Sequence, residues 1–182
     1  GLQLWFHAHG IDESNVHKPY RPKSRGIGNS QILPYDYHLQ ADIELVFREM
    51  AEQVAIRLRR KKKKTQLVSI HASYSKIEGL PSIHCQQKIE PTQSTKVLSD
   101  TVLRLFRSKY EGGGIRQIGV FYGELVEESL QLFSLFDDPV TLEKEEKLQQ
   151  TIDRIRDQFG FTSLQKGSSL LENSRAIARS KL

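Results

Sequence analysis

Apolar positions along the chain fall into two spacings. Residues 39–60 carry Ile43, Val46, Phe47, Met50, Val54 and Leu58 at intervals of three and four, which predicts one long amphipathic helix. Residues 95–110 repeat the pattern with Leu98, Val102 and Leu105; Ser94 or Thr95 can cap the start, and the glycines at 112–114 end it. Between these helices the period drops to two. In "TQLVSIHASY" Val68, Ile70 and Ala72 share one side, and Leu67, Ser69, His71 and Ser73 the other. In "PSIHCQQKIE" Ile83, Cys85 and Ile89 point one way and His84, Gln86 and Lys88 the other. "GIGNSQIL", bounded by glycines and Pro34, predicts a short first strand, and the β-branched and aromatic "IRQIGVFY" a last one.

The order strand, helix, strand, strand, helix, strand is that of the split βαβ, ferredoxin-like sandwich: an α+β fold whose four-stranded antiparallel sheet carries both helices on one face. Such a sheet leaves its second face open. The alternation assigns Asn29, Gln31, Ser69, His71, Ser73, His84, Gln86, Lys88 and Arg116 to it, a surface rich in donors and poor in carboxylates.

Beyond Tyr122 a polar stretch leads to "QLFSLFDDP" at 131–139. Asp138 and Pro139 supply the cap and first residue of a third helix, along which Leu148, Ile152, Ile155 and Phe159 keep helical spacing until Gly160. Residues 1–22 begin apolar and turn Pro-rich and polar, as the end of a preceding element followed by a linker would. The only methionine is Met50, so the chain is expected to be a piece of a longer protein.

Composition narrows the function. The 182 residues are 37% hydrophobic and 27% charged, with formal net charge +5, a balance that favours a polyanionic partner. Cys85 is the single cysteine, which excludes an intrachain disulfide and fits a reducing cytosol. No apolar run approaches the ~20 residues of a membrane span. The six histidines and Cys85 lack zinc-site spacing; His7 and His9 alternate like strand neighbours, and Asp137-Asp138 reads as capping, so no metal is assigned. "EGGGIRQ" follows a helix and precedes a strand, the reverse of a phosphate-cradling loop. No catalytic constellation emerges.

Two features carry function instead. Seven of the eight residues from Arg57 to Lys64 are Lys or Arg, and "KSRGIG" at 23–28 combines cations, a hydroxyl and glycines that admit close approach of a phosphate. The Leu and Phe residues at 132–136 fall outside the βαββαβ count, which leaves two readings: they pack on the following helix, or they form an extended peptide whose anchors enter a partner's pocket.

Taken together, "LWFHAHGIDES", "KSRGIGNSQIL", "RLRRKKKK", "IRQIGVFYGEL", "QLFSLFDD" and "LQQTIDRIRDQFGFTSL" resemble, in order and over nearly the whole chain, the C-terminal part of Y-family translesion DNA polymerases, in particular the UmuC-like UV-damage repair branch of bacteria. The resemblance implies that residues 1–22 are the end of the thumb and a tether, 23–122 the little finger domain, and 123–182 a C-terminal extension. It implies a sheet lying along the major groove of duplex DNA and holding both backbones without reading sequence. The phosphate-contacting strand then falls on Lys23, Ser24, Ile27, Gly28, Asn29 and Ser30, with Arg25 nearby, and the last strand on Ile115, Arg116, Gln117, Ile118 and Gly119. "KSRGIG" is longer than the family's Lys-Ser-Ile-Gly, and Gln117 stands where relatives often carry a second arginine. "QLFSLF" resembles the bacterial sliding-clamp-binding motif, with Gln131, Leu132, Phe133, Ser134, Leu135 and Phe136 as contacts; a second register would use Leu130, Leu132 and Phe133. The family's catalytic carboxylates belong to the palm and have no counterpart here, so the fragment is expected to be non-catalytic and free of cofactor, with Mg in the parent polymerase. Partners implied are primer–template DNA and the replication clamp, with no membrane and a cytoplasmic, nucleoid-associated location. Dimerisation through the C-terminal helix stays open. An RNA-recognition module, which shares the strand order but stacks bases on aromatics of its central strands, is the alternative, and a small ferredoxin-like phosphohydrolase a third.

Overall fold

The computed structural model describes residues 2–12, 26–128 and 139–180. A short helix α1 (Leu2–Ala8) precedes β1 (Ile27–Tyr37), α2 (Gln40–Arg60), β2 (Lys63–Tyr74), β3 (Ile83–Thr92), α3 (Thr95–Arg107) and β4 (Ile115–Glu127). The extension follows as α4 (Pro139–Phe159), two 3-10 turns at Phe161–Ser163 and Gly167–Leu170, and α5 (Ala176–Ser180). The predicted α+β arrangement is present: one antiparallel sheet in the order β1-β4-β2-β3. β1 and β2 thus run parallel on either side of β4, a split βαβ, but β2 and β4 are the central strands, where the ferredoxin-like order expected from the sequence has its first and third.

The core lies between this sheet and α2 and α3. The stripe predicted on α2 is buried throughout, and α3 contributes Leu98, Val102, Leu103, Leu105 and Phe106. Ser94 caps α3 by accepting from the Val97 N–H at 3.4 Å. Tyr122 is fully buried and donates its hydroxyl proton to the Ala51 carbonyl at 3.1 Å, so its polar end is satisfied inside the core. Burial holds that phenol far above its usual pKa.

Three expectations change. β1 continues past Pro34 to Tyr37, because it is an edge strand paired only with β4 and a missing N–H costs nothing on its free side; the register slips between Ile32 and Tyr37. β4 runs beyond Tyr122 to Glu127, so the first part of the stretch assigned to the extension belongs to the sheet. His7 lies in a helix and His9 just after it, with Nδ1 on the Trp5 carbonyl, and not in a strand.

The extension docks on the outward side of α2, and it does so with charge. Along α4, Leu148 and Phe159 are exposed despite their helical spacing, while Arg156 is buried. Asp153 accepts from Arg59 Nε at 2.5 Å and Nη2 at 3.1 Å. Arg156 Nη1 donates to Glu52 at 2.7 Å, and Lys166 reaches the other oxygen of the same carboxylate. Burial pushes Glu52 up, but these two cations outweigh it and hold the carboxyl below its usual range. Farther along, Glu49 accepts from Ser174 Oγ and the Arg175 N–H, and Asn173 donates to Asp42.

Candidate nucleic-acid interface

The extension occupies the helical side, and no described element packs on the opposite face of the sheet. Its composition follows from register. The pairing Ser30–Gly119–His71–His84 forms one row across all four strands, flanked by Gly28–Phe121–Ser69–Gln86 on one side and Ile32–Gln117–Ser73 on the other. Leu67, Lys88 and Gly123 complete it. Of the residues assigned to this face from sequence, Ser69, His71, Ser73, His84, Gln86 and Lys88 are on it, as are Gly28, Ser30 and Gln117. None of these aligned positions holds an Asp or Glu.

Asn29 and Gln31 are corrections. Asn29 pairs with Val120 and Gln31 with Ile118, both core residues, so these side chains belong to the helix-covered side, as does that of Ile27. Gln31 Oε1 is buried with no hydrogen-bond partner among the described residues. Arg116 falls where the register of β4 slips; it donates to the Pro34 carbonyl at 3.2 Å and lies 3.6 Å from Asp36. Its charge is therefore compensated at the sheet edge. Lys88 is likewise 3.0 Å from Glu124, which reaches over from β4. Lys23, Ser24, Arg25, the peptide Gln131–Phe136 and the Asp137-Asp138 cap lie outside the described residues.

Phe121 was not anticipated. It sits mid-face with about a third of its surface exposed, and its ring covers the glycines beside it. A Cβ at Gly26 would stand 2.1 Å from the ring and one at Gly28 2.9 Å, so side chains there would have to dislodge it. The signal was an aromatic in β4 matched by glycines at 26 and 28, just before and within the start of β1. Gly119 has a different effect: with no side chain between Ser30 and His71, it leaves a low point at the centre of the face.

The histidines form the most structured part. The His71 and His84 rings lie 4.4 Å apart, His71 Nε2 shares a proton with Ser73 Oγ at 2.8 Å, and Ser73 Oγ is 3.0 Å from Ser82 Oγ. His71 Nδ1 is buried and unpartnered among the described residues. Burial first, then the neighbouring His84, lowers the His71 pKa below its ordinary value, so the ring is neutral near pH 7. The face thus offers hydroxyls, the amides of Gln86 and Gln117, and imidazoles, groups that hydrogen-bond phosphate and sugar oxygens.

The basic run divides. Arg59 and Arg60 hold Asp153 and Asp157 of α4, Lys63 pairs with Glu127, and Arg57 donates to the Gly28 carbonyl at 2.9 Å. Cys85 is free and half-buried against the core. Among the described residues no group of three or more His, Cys, Asp or Glu could hold a metal ion, and no helix is long and apolar enough to cross a membrane.

Residues 24–135 match the model of the impB/mucB/samB family C-terminal domain. Among full-length relatives, the chain is 33% identical over its whole length to UvrX of Bacillus subtilis, named as a UV-damage repair protein. It is 32% identical, again over its whole length, to DNA polymerase IV 2 of Halalkalibacterium halodurans. In both cases it spans 44% of the relative's length. Among solved structures it is similar, at 13% identity and a TM-score of 0.46, to the little finger domain of PolIV in a complex with the beta-clamp processivity factor, covering 62% of this chain and all of that one.

Proposed function

We propose that this chain, which belongs to the impB/mucB/samB family and carries its C-terminal domain, is the part of a translesion DNA polymerase that grips primer–template duplex without reading its sequence. Residues 23–122, with β4 continuing to Glu127, form the gripping domain; residues 1–22 join it to the catalytic part, and the extension carries a clamp-binding peptide at Gln131–Phe136. The fragment itself catalyses nothing; polymerisation and its Mg belong to the preceding palm.

The observation that carries this reading is the uncovered sheet face whose aligned positions hold no carboxylate, in a chain of net charge +5. Backbone oxygens of a duplex are acceptors, and acceptors are repelled by carboxylates and held by hydroxyls, amides and imidazoles. Register adds the low point at Gly119, where a strand can approach between Ser30 and His71. Charge for counterion release comes from Lys88, from Lys23 and Arg25, which precede the first strand in sequence, and from Arg116 once it leaves Asp36. The central strands β2 and β4 present one aromatic on this face, Phe121, and its ring is laid over β1. That is not the multiple-aromatic platform of single-stranded RNA readers.

The test is a salt titration of duplex binding by fluorescence anisotropy with two unrelated sequences. Equal affinities and a log K–log salt slope of several times −0.9 are expected; an affinity indifferent to salt would remove the basis of the proposal. For the peptide, Leu135→Ala with Phe136→Ala should abolish capture by a bacterial sliding clamp while duplex binding is retained. Undiminished capture would reject this register.

A further inference from the structure

We infer that the seam between α2 and the C-terminal extension contains a second anion site, built around Arg57 and Arg179 and suited to a phosphate group. A cleft of about 270 Å³ opens there, on the side of α2 turned away from the sheet. Arg57 and Arg60 come to it from α2, Arg156 from α4, Phe161 from the turn that follows, and Arg179 from α5; Asp153 is the single carboxylate among its lining residues.

Hydrogen bonding at the seam shows which cations are free to take a ligand. Asp153 is held by Arg59, Asp157 pairs with Arg60, and Glu52 is shared between Arg156 and Lys166. Glu49 accepts from Ser174 and the Arg175 N–H; it attracts Arg179 through space without a hydrogen bond to it. Arg57 has a neutral carbonyl as its partner. Both terminal nitrogens of Arg179 are buried with no partner among the described residues. A guanidinium out of contact with water and without an acceptor is costly, and buried polar groups are otherwise paired almost throughout proteins. Burial also lowers the pKa of Arg179, consistent with a charge that lacks full compensation.

The shape of the missing partner follows from two forks on different elements. A carboxylate can bridge two cations, as Glu52 does between Arg156 and Lys166, but a tetrahedral phosphate brings more charge and more oxygens, set in several directions, to guanidinium groups on different elements. The cleft has room for a phosphate or a diphosphate. The phosphate comes either from a free ion or from a nucleic-acid backbone passing behind the sheet. The inference is independent of what binds the open face.

The experiment titrates the 182-residue chain with pyrophosphate, inorganic phosphate and, as a planar control, acetate, by calorimetry at fixed ionic strength. Saturable one-site binding of the phosphates and none of acetate is expected. Arg179→Met should weaken that binding by about tenfold or more, the value of one charge-assisted contact. Its melting temperature in anion-free buffer should be no lower than that of the parent, since an uncompensated buried charge is removed. A salt series with duplex DNA separates the sources: a slope smaller by about 0.9 in Arg179→Met identifies a backbone phosphate, and an unchanged slope with lost pyrophosphate binding a free one. No saturable binding, acetate binding as well as phosphate, or an Arg179→Met chain that binds like the parent would overturn the inference. Should Arg179→Met fail to fold, Arg57→Gln at the mouth of the cleft must weaken phosphate binding, and an unchanged affinity there has the same consequence.

Discussion

Lys88 is the cation most directly placed on the open face, and it is paired with Glu124 at 3.0 Å. A phosphate that uses Lys88 must take it from that carboxylate. Both side chains are well exposed, 76% for Lys88 and 43% for Glu124, so the pair is a surface ion pair of about 0.2–1 kcal/mol. Glu124→Gln removes the competitor and should tighten duplex binding by that amount, about 1.4- to 5-fold at moderate salt. Glutamine rather than glycine is the replacement because Glu124 has φ +47°, and changing backbone freedom there would confound the measurement. Lys88→Gln should act oppositely, weakening binding and reducing the salt slope by about 0.9, one phosphate contact. Anisotropy titrations of parent and both variants from low to moderate salt read affinity and slope together, and neither substitution should alter the unfolding midpoint appreciably. If Lys88→Gln leaves the slope where it was, the phosphates do not lie on this face, whatever the affinity does.

Two further outcomes test the scaffold and the histidines. Asp153→Ala strands Arg59, whose side chain is only 10% exposed and keeps hydrogen bonds to the Gln93 carbonyl and Thr95 Oγ1; about 2–4 kcal/mol of stability should be lost in urea unfolding, and a loss under about 0.5 would mean that the extension is not part of the folded unit. For His71 the folded pKa is lowered, so the unfolded chain takes up its proton first: this residue's contribution to stability is intact above the ordinary histidine range and declines as pH falls through it. Duplex binding should move the other way, strengthening severalfold (about 0.5–1 kcal/mol) between pH 7 and 5.5 as phosphate draws a proton onto the imidazole, and His71→Gln should flatten that dependence. Affinity that stays level with pH in the parent would place His71 away from the phosphates.

What could be seen in advance depended on how each element is buried. α2 and β2 were legible because a hydrophobic core imposes a period: Val46, Phe47, Met50 and Val54 on one helix, and Val68, Ile70 and Ala72 on one strand, leave few alternatives. β1 was not, because an edge strand with small and polar residues has no such period, and Asn29 and Gln31 can be read as facing either way until Val120 and Ile118 are seen opposite them. Docking of α4 was hidden for a related reason. Of its four apolar residues at helical spacing, Leu148 and Phe159 stay exposed and Ile152 and Ile155 are half-buried, while the hydrogen-bonded contacts are made by Asp153, Arg156 and Gln149, whose type gives no clue to burial. The available signal was electrostatic: acids at 153 and 157, one turn apart, complement Arg59 and Arg60.

That complementarity also bears on how the open face stays open. A basic run at the end of α2 would ordinarily be read as a phosphate-binding element. Here two of its arginines are neutralised by the extension, and Lys63 by Glu127. The same contacts place α4 and α5 on the side of α2 away from the sheet, where they cannot cover Ser30, His71 or Gln86. Had the extension docked through Leu148 and Phe159, the exposed apolar residues of the sheet face, Ile32 and Phe121, would have been among its candidate partners. Specific ion pairs cost desolvation but discriminate between surfaces, which hydrophobic contact does poorly. The acids on α4 therefore act at a distance from any ligand of the open face: by drawing the extension to Arg59 and Arg60, they leave the hydroxyl and imidazole rows of the sheet free for an outside partner.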